Sequence, residues 1–253
     1  MVVYNQDFYA SISPGSLRSA RAVVPLVWQF IQPGSVIDVG CGQGIWLSVF
    51  KEWGIQEICG IDGSWVDKDN LRIEPEVFFE FDMNRPLSLN RQFDLVVSLE
   101  VAEHLPPEGA QAFVHSLISL GPVILFSAAI PLQGGVDHQN EQWPEYWSRL
   151  FLAEGYVTID CLRNKIWNNS DVEYWYRQNV LFFVKQEELC NYDALHKEYR
   201  ENIDAPLSMV HPLGYLKLRE YADSACQECT DSALADLTIR QTINLFFRKL
   251  IKR

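Results

Sequence analysis

Positive charge is scarce in this chain: 21 Lys and Arg residues stand against 33 Asp and Glu, a net charge of −12 at pH 7. Phosphate backbones are bound by clustered cations, so this balance argues against nucleic acid as the main partner and favours a small neutral or cationic ligand. There is no apolar run of about 18 residues and no charged-then-apolar leader, so neither a membrane span nor a signal peptide is expected, and the expected location is cytoplasmic. The six cysteines follow no framework spacing, which excludes a disulfide scaffold and suits reduced thiols. Cys226 and Cys229 form a lone CxxC; zinc wants four ligands, and without a second pair these read as incidental or structural thiols. Internal repeats and low-complexity tracts are absent as well.

What is present is an ordinary soluble composition, 48% hydrophobic and 21% charged, with eight Trp, in a chain of 253 residues. That length supports one main domain with an appendage. The stretch from Ser16 to Phe30 has helical periodicity, with Pro25 expected to kink it. Short apolar runs then recur as SVIDVG, EICGIDG, VFFEFDM, FDLVVSLE and PVILFSAA. Strands alternating with helices imply an α/β fold with a parallel sheet. Two more runs, YVTIDCL and NVLFFVK, are expected to form an antiparallel pair. After Lys185 the segments look helical, which divides the chain into a main domain, 1–185, and a helical C-terminal appendage, 186–253. Asp38, Asp62, Asp82 and Glu100 all fall at or near the C-terminal ends of strand runs, the edge where open α/β sheets bind ligands.

The loop in SVIDVGCGQG narrows the ligand. A dinucleotide fingerprint needs Gly or Ala where Ile45 stands, and a phosphate loop needs a Lys that does not follow. Asp38 at the strand end would repel a pyrophosphate but attract an ammonium or a sulfonium. S-adenosylmethionine (SAM) carries both.

Asp38, Gly40, Gly42 and Gly44 resemble motif I of the class I SAM-dependent methyltransferases, an acidic residue followed by G-x-G-x-G. Asp62 stands 24 residues after Asp38, where that family places the acid that holds the ribose hydroxyls. Asp82 resembles its third-strand acid near the adenine, and Phe93 to Glu100 resembles motif IV. The resemblance covers residues 35 to 130. It implies a Rossmann-like, doubly wound sheet of seven mostly parallel strands with the last antiparallel, SAM as cofactor, and methyl transfer as activity. The expected cofactor residues are Asp38, Gly40, Cys41, Gly42, Gly44, Asp62, Asp82 and Glu100, with Cys41 and Gln43 acting as backbone donors to the ligand. Each acid alone would also serve as a helix or turn cap.

A hydroxyl acceptor benefits from a base, worth about 10²–10⁴-fold. His138, beside Asp137 in GGVDHQNEQW, and His104, in EVAEHLPPE, are the candidates. Asp137 is the residue expected to fix the His138 tautomer, and His104 has the alternative of capping a helix that begins near Pro107. Glu103 is a further candidate, with a solvated carboxylate as its plain alternative. Asp137 and His138 are possible metal ligands, but the sequence assembles no complete constellation, and no metal is assigned. The acceptor is expected near the aromatics Trp143, Trp147 and Trp175 and near Arg177, because flat rings beside polar groups suit a sugar. Trp143, Trp147 and Leu150 also share helical spacing, as core residues would. The block SAAIPLQGGVDHQNEQWPEYW resembles a bacterial subgroup associated with sugar and polysaccharide assembly, which implies O-methylation of a sugar or glycan hydroxyl. The alternatives are a SAM-binding protein without catalysis and an N-methyltransferase of a small amine. In the segment 234–253, Ile239, Ile243, Phe246 and Leu250 share a helical face next to five cations, which suits packing on the main domain or peripheral contact with an anionic membrane.

Overall fold

In a computed structural model, residues 6–224 are described. The segment 234–253, Cys226 and Cys229, with the expectations attached to them, lie outside the described residues. Contacts divide the chain into two units, Met1–His211 and Pro212–Arg253. The first unit therefore extends past the boundary after residue 185 drawn from the sequence. The reason is packing: Leu195, on the helix Asp193–Asn202, is fully buried in the core of the first unit. In the second unit residues 212–224 are helical, with Tyr215, Leu216 and Tyr221 exposed.

The strands are β1 (Ser35–Val39), β2 (Glu57–Asp62), β3 (Phe78–Glu80), β4 (Leu95–Leu99), β5 (Val123–Ser127), β6 (Tyr156–Ile159) and β7 (Leu181–Lys185). They form one seven-stranded sheet in the order β3-β2-β1-β4-β5-β7-β6. All pairings are parallel except those of β7, which runs antiparallel to both β5 and β6. The helices are α1 (Gln6–Phe30), α2 (Ile45–Glu52), α3 (Ala110–Leu120), α4 (Pro144–Ala153), α5 (Arg163–Ile166), α6 (Tyr174–Asn179) and α7 (Asp193–Asn202).

Strands β1, β4 and β5 are buried at every position, as a parallel sheet covered on both faces requires. Alternation sends successive side chains to different layers. Val36, Leu95, Val97, Val123 and Leu125 face one core, which α1 and α2 complete with Val23, Val27, Leu47 and Phe50. Ile37, Val39, Val96, Ile124 and Phe126 face the other, completed by α3 and α4 with Val114, Leu117, Trp147 and Phe151. Each large apolar side chain so buried contributes about 1.5–3 kcal/mol. Helix α1 buries Ala20, Val23, Val24 and Val27 on one stripe and runs continuously through Pro14 and Pro25, whereas the sequence suggested a kink at Pro25.

Strand order reverses between β1 and β4. At such a switch point the loops leaving neighbouring strands diverge and open a crevice at their C-terminal ends. Asp38 and Glu100 stand at those ends.

Candidate active site

Burial forces the glycine loop into its shape. Gly40 has φ of 87°, and a Cβ there would lie 2.3 Å from Val101 Cγ2, so neither the conformation nor the space admits a side chain. The amides of Gly40 and Cys41 both donate to the Ile61 carbonyl, at 2.8 and 3.1 Å, which ties the loop to the end of β2. The Cys41 amide is thus spent inside the protein, a correction to the expectation that it serves the ligand. The Cys41 thiol is buried and its pKa is pushed up by burial, so it is an inert side chain. Gln43 accepts a hydrogen bond from Ser13 Oγ of α1 at 2.9 Å through its side chain.

Asp62 closes the other side of the loop. Its Oδ2 accepts from the Gly42 amide at 2.7 Å and its Oδ1 from the Gly63 amide at 2.6 Å. Burial raises its pKa to about 6 in spite of these donors and the Trp65 side chain. Asp38 is buried and held well above the usual carboxylate range, first by desolvation and then by the charge of Asp62. Two buried carboxylates at adjacent strand ends form a site that welcomes positive charge and hydroxyl donors. Trp65, beside Asp62 and 39% exposed, went unnoticed in the sequence; the WVD context gave no periodic signal to single it out. Asp82 is exposed, and its Oδ1 accepts from the Asn84 amide at 3.0 Å and from its side chain at 2.9 Å, which holds its carboxyl below the usual range.

The second half of the site lies in the loops after β4 and β5. Gln139 and Asn140 both donate their amides to the Glu103 carbonyl, at 2.8 and 2.9 Å, and Gln139 Nε2 donates to the His104 carbonyl at 2.9 Å. These bonds carry His138 to the turn Ala102–His104, where the two imidazoles meet edge to face with centroids 4.8 Å apart. His104 therefore does not cap a helix; Gly109 occupies the N-cap position of α3. Burial and the neighbouring His138 push His104 down to about 4, so it is neutral at ordinary pH. The partner of His138 is Glu141, whose Oε1 lies 2.8 Å from Nδ1. The expected orienting residue, Asp137, instead takes up a left-handed backbone with φ of 60°. Glu141 also accepts the amides of Leu132 at 2.7 Å and Gly134 at 2.9 Å, so one carboxylate organises the whole loop.

Two carboxylates, Glu100 partly buried and Glu103 fully buried, complete the cluster. Glu100 has φ of 55° and accepts from Gln133 Nε2 at 2.8 Å and Asn179 Nδ2 at 3.1 Å. Burial raises its pKa, and these donors oppose the rise. Glu103, for which a solvated carboxylate was the plain alternative, is 0% exposed. Its pKa is driven well upward by desolvation and by Glu100, and neither of its oxygens meets a hydrogen-bond donor in good geometry. One ligand atom from each of Glu103, His104 and His138 lies within 4.8 Å of the others, a grouping the sequence did not display.

The aromatic candidates divide. Trp147 is 2% exposed and packs on Phe126 at 5.4 Å and Tyr146 at 5.0 Å; it is core, a correction to its assignment as an acceptor contact. Trp143 is 41% exposed, and the Gln142 amide bonded to the Ala129 carbonyl at 3.1 Å returns it to the end of β5. Trp175 is half-buried against the α1 side of the core. Arg177 is buried, with Nη1 donating to the Trp167 carbonyl at 3.3 Å. Gln178 and Asn179 are turned into the network around Glu100 and Gln133.

A seven-stranded sheet with an antiparallel β7, a glycine loop after β1 and an acid ending β2 define a class I SAM-dependent methyltransferase. The family model described as a methyltransferase domain matches residues 15–154, more than half of the chain, and the protein belongs to that family. Its fold is similar to three solved structures. The methyltransferase domain of bacterial CtHen1-C gives a TM-score of 0.50 at 21% identity, over 66% of this chain and 97% of that one. Magnesium protoporphyrin IX methyltransferase from Synechocystis PCC 6803 with bound SAM gives 0.50 at 20%, over 68% and 80%. The sugar N-methyltransferase KedS8 from Streptoalloteichus sp ATCC 53650 gives 0.52 at 16%, over 67% and 87%. A comparison with curated proteins gives no match. The cofactor is SAM, and the buried carboxylates of Asp38 and Asp62 beside the glycine loop fit it. No described helix is long and apolar enough to cross a membrane.

Proposed function

We propose that this methyltransferase methylates a hydroxyl of a small, sugar-like or glycan acceptor. The supporting observation is the His104–His138 pair, set against partly buried Glu100 and fully buried Glu103 in the loops of the strand edge that also carries Asp38 and Asp62. An amine acceptor needs only a neutral lone pair, whereas a hydroxyl needs help in losing its proton, and these loops gather the groups that give it. The net charge of −12 speaks for a small acceptor over a nucleic acid. The expected location remains cytoplasmic.

In this reading Asp38, the Gly40–Gly44 loop and Asp62 hold SAM, with Asp82 beside the adenine. SAM supplies an activated methyl group. Catalysis then consists mainly of aligning the acceptor and excluding water, and alignment is worth up to about 7–11 kcal/mol. His138, steadied by Glu141, orients the acceptor hydroxyl and eases removal of its proton, and neutral His104 supports it. Trp143 offers an exposed ring for an apolar sugar face, with Trp175 and Arg177 farther along the chain as acceptor-side candidates.

The test is transfer of labelled methyl from SAM to panels of sugar nucleotides, free glycosides, lipid-linked glycans, amino sugars and RNA. Product carrying the label on a sugar oxygen supports the reading. Label found only on nitrogen or only on RNA overturns it.

A further inference from the structure

We infer that Glu103, His104 and His138 form a binding site for one divalent first-row transition metal ion. One donor atom of each lies within 4.8 Å of the other two. Two ligands on one ion stand at most about 4.3 Å apart, because metal–nitrogen and metal–oxygen bonds are about 2.0–2.2 Å long. Side-chain rotations that shift these atoms by on the order of 1 Å therefore close the site, without backbone movement.

A second observation, independent of spacing, points to a cation. Glu103 is 0% exposed and both its carboxylate oxygens lack a hydrogen-bond donor in good geometry. Its polar neighbours are its own backbone, the Ala129 backbone and the Glu100 carboxyl. A buried carboxylate without a well-placed donor beside another carboxylate is costly unless a cation or a shared proton compensates it. Glu100 already accepts from Gln133 and Asn179, so Glu103 is the one whose acceptors remain to be met.

The histidines are held in the way metal-ligating imidazoles commonly are, one ring nitrogen fixed by a carboxylate or a backbone carbonyl. Glu141 Oε1 holds His138 through Nδ1 at 2.8 Å, and the backbone of Val136 and Asp137 engages His104. The strained loop that presents His138, with left-handed Leu132, Gly134 and Asp137, is clamped by Glu141 and by the Gln139 and Asn140 amides. Four separate contacts fix one imidazole against Glu103.

Two imidazoles and one carboxylate select the class of ion. Magnesium and calcium favour all-oxygen sites, whereas imidazole nitrogen draws manganese, iron, cobalt or zinc. Three protein ligands leave coordination positions open. An acceptor hydroxyl that occupies one loses its proton to solvent more readily, because the ion stabilises the oxygen anion. This deepens the proposed hydroxyl methylation and rests on it for the acceptor; His138 then acts by holding the ion.

The experiment titrates full-length protein, stripped with EDTA and dialysed, with Mn2+ alone while the free-ion EPR signal is followed. The expected result is uptake of one Mn2+ per chain, displaced by Zn2+ and retained in equimolar Mg2+. Uptake should be lost in Glu103→Gln and in the double variant His104→Ala/His138→Ala. Retained SAM binding by calorimetry identifies the variants as folded, and Glu103→Asp, which keeps the carboxylate, should recover part of the uptake. No Mn2+ uptake by the parent, or uptake that survives both variants, overturns the site. Stoichiometric uptake without methylation of any hydroxyl leaves the metal site standing and removes the acceptor reading. Sugar methylation that persists in EDTA, with no Mn2+ uptake, removes the metal site alone.

Discussion

Glu141 Oε1 lies 2.8 Å from Nδ1 of His138, and the same carboxylate accepts the amides of Leu132 and Gly134. One side chain therefore sets both the imidazole and the loop that carries it. Glu141→Gln keeps the size but weakens charge-assisted bonds, and should lower kcat about 10–100-fold with SAM affinity unchanged. His138→Ala should lower kcat by roughly 10²-fold or more. Steady-state kinetics beside SAM calorimetry checks both; a parallel loss of SAM affinity in Glu141→Gln would show that the loop supports the cofactor instead.

If Asp62 holds SAM as proposed, SAM binding should depend on pH. Its pKa in the folded protein is about 6 against an ordinary 3.8, so the folded chain holds the proton more tightly than the unfolded one. Its contribution to stability is present below about 4 and is lost as pH rises through about 6. In the proposed reading ribose hydroxyls donate to the ionised carboxylate, so SAM affinity should rise as pH increases through the same interval. Calorimetry from pH 5 to 7.5 should show this dependence, with Asp62→Asn flattening it in part because Asp38 is raised in the same direction. At neutral pH Asp62→Ala should weaken SAM binding by about 1.5–3 kcal/mol; unchanged affinity would remove Asp62 from the site.

Gly40 tests the glycine loop. Gly40→Ala meets Val101 Cγ2 at 2.3 Å and must adopt φ of 87°. Left-handed backbone alone costs about 1–2 kcal/mol for a residue with a Cβ. The variant should lose thermal stability and SAM affinity together, and adding Val101→Ala should relieve the clash while leaving the backbone cost. Full recovery in the double variant would mean that the loop accommodates the strain.

Trp147 and Trp143 should behave oppositely. Trp147→Ala empties a fully packed position, and large-to-small changes of this kind cost about 3–5 kcal/mol, so the melting temperature should fall by on the order of 10 °C. Trp143→Ala, at an exposed ring, should leave melting nearly unchanged and raise the acceptor KM. Equal melting losses would place both rings in the core.

The linear pattern was sufficient for the sheet, because parallel strands buried on both faces must be short, apolar and regularly interrupted, and SVIDV, LVVSL and VILFS are. The left-handed turns at Gly40, Gly42 and Gly44 and the place of Asp62 at a strand end were legible for a related reason: their geometry depends on local backbone freedom and on strand ends, which leave a mark at fixed spacing. Cys41 was misjudged because the destination of its amide, the Ile61 carbonyl, belongs to another strand. Glu103 and Trp147 could not be separated from exposed counterparts by residue type, since burial is set by what packs above them. The alliance of Glu103 and His104 with His138 and Glu141 spans more than thirty positions, and it exists because Gln139 and Asn140 bond to the Glu103 carbonyl. Short-range periodicity therefore determined the fold and the glycine loop, whereas the grouping of Glu103, His104, His138 and Glu141 was decided only when two loops from adjacent strands were fastened together in space.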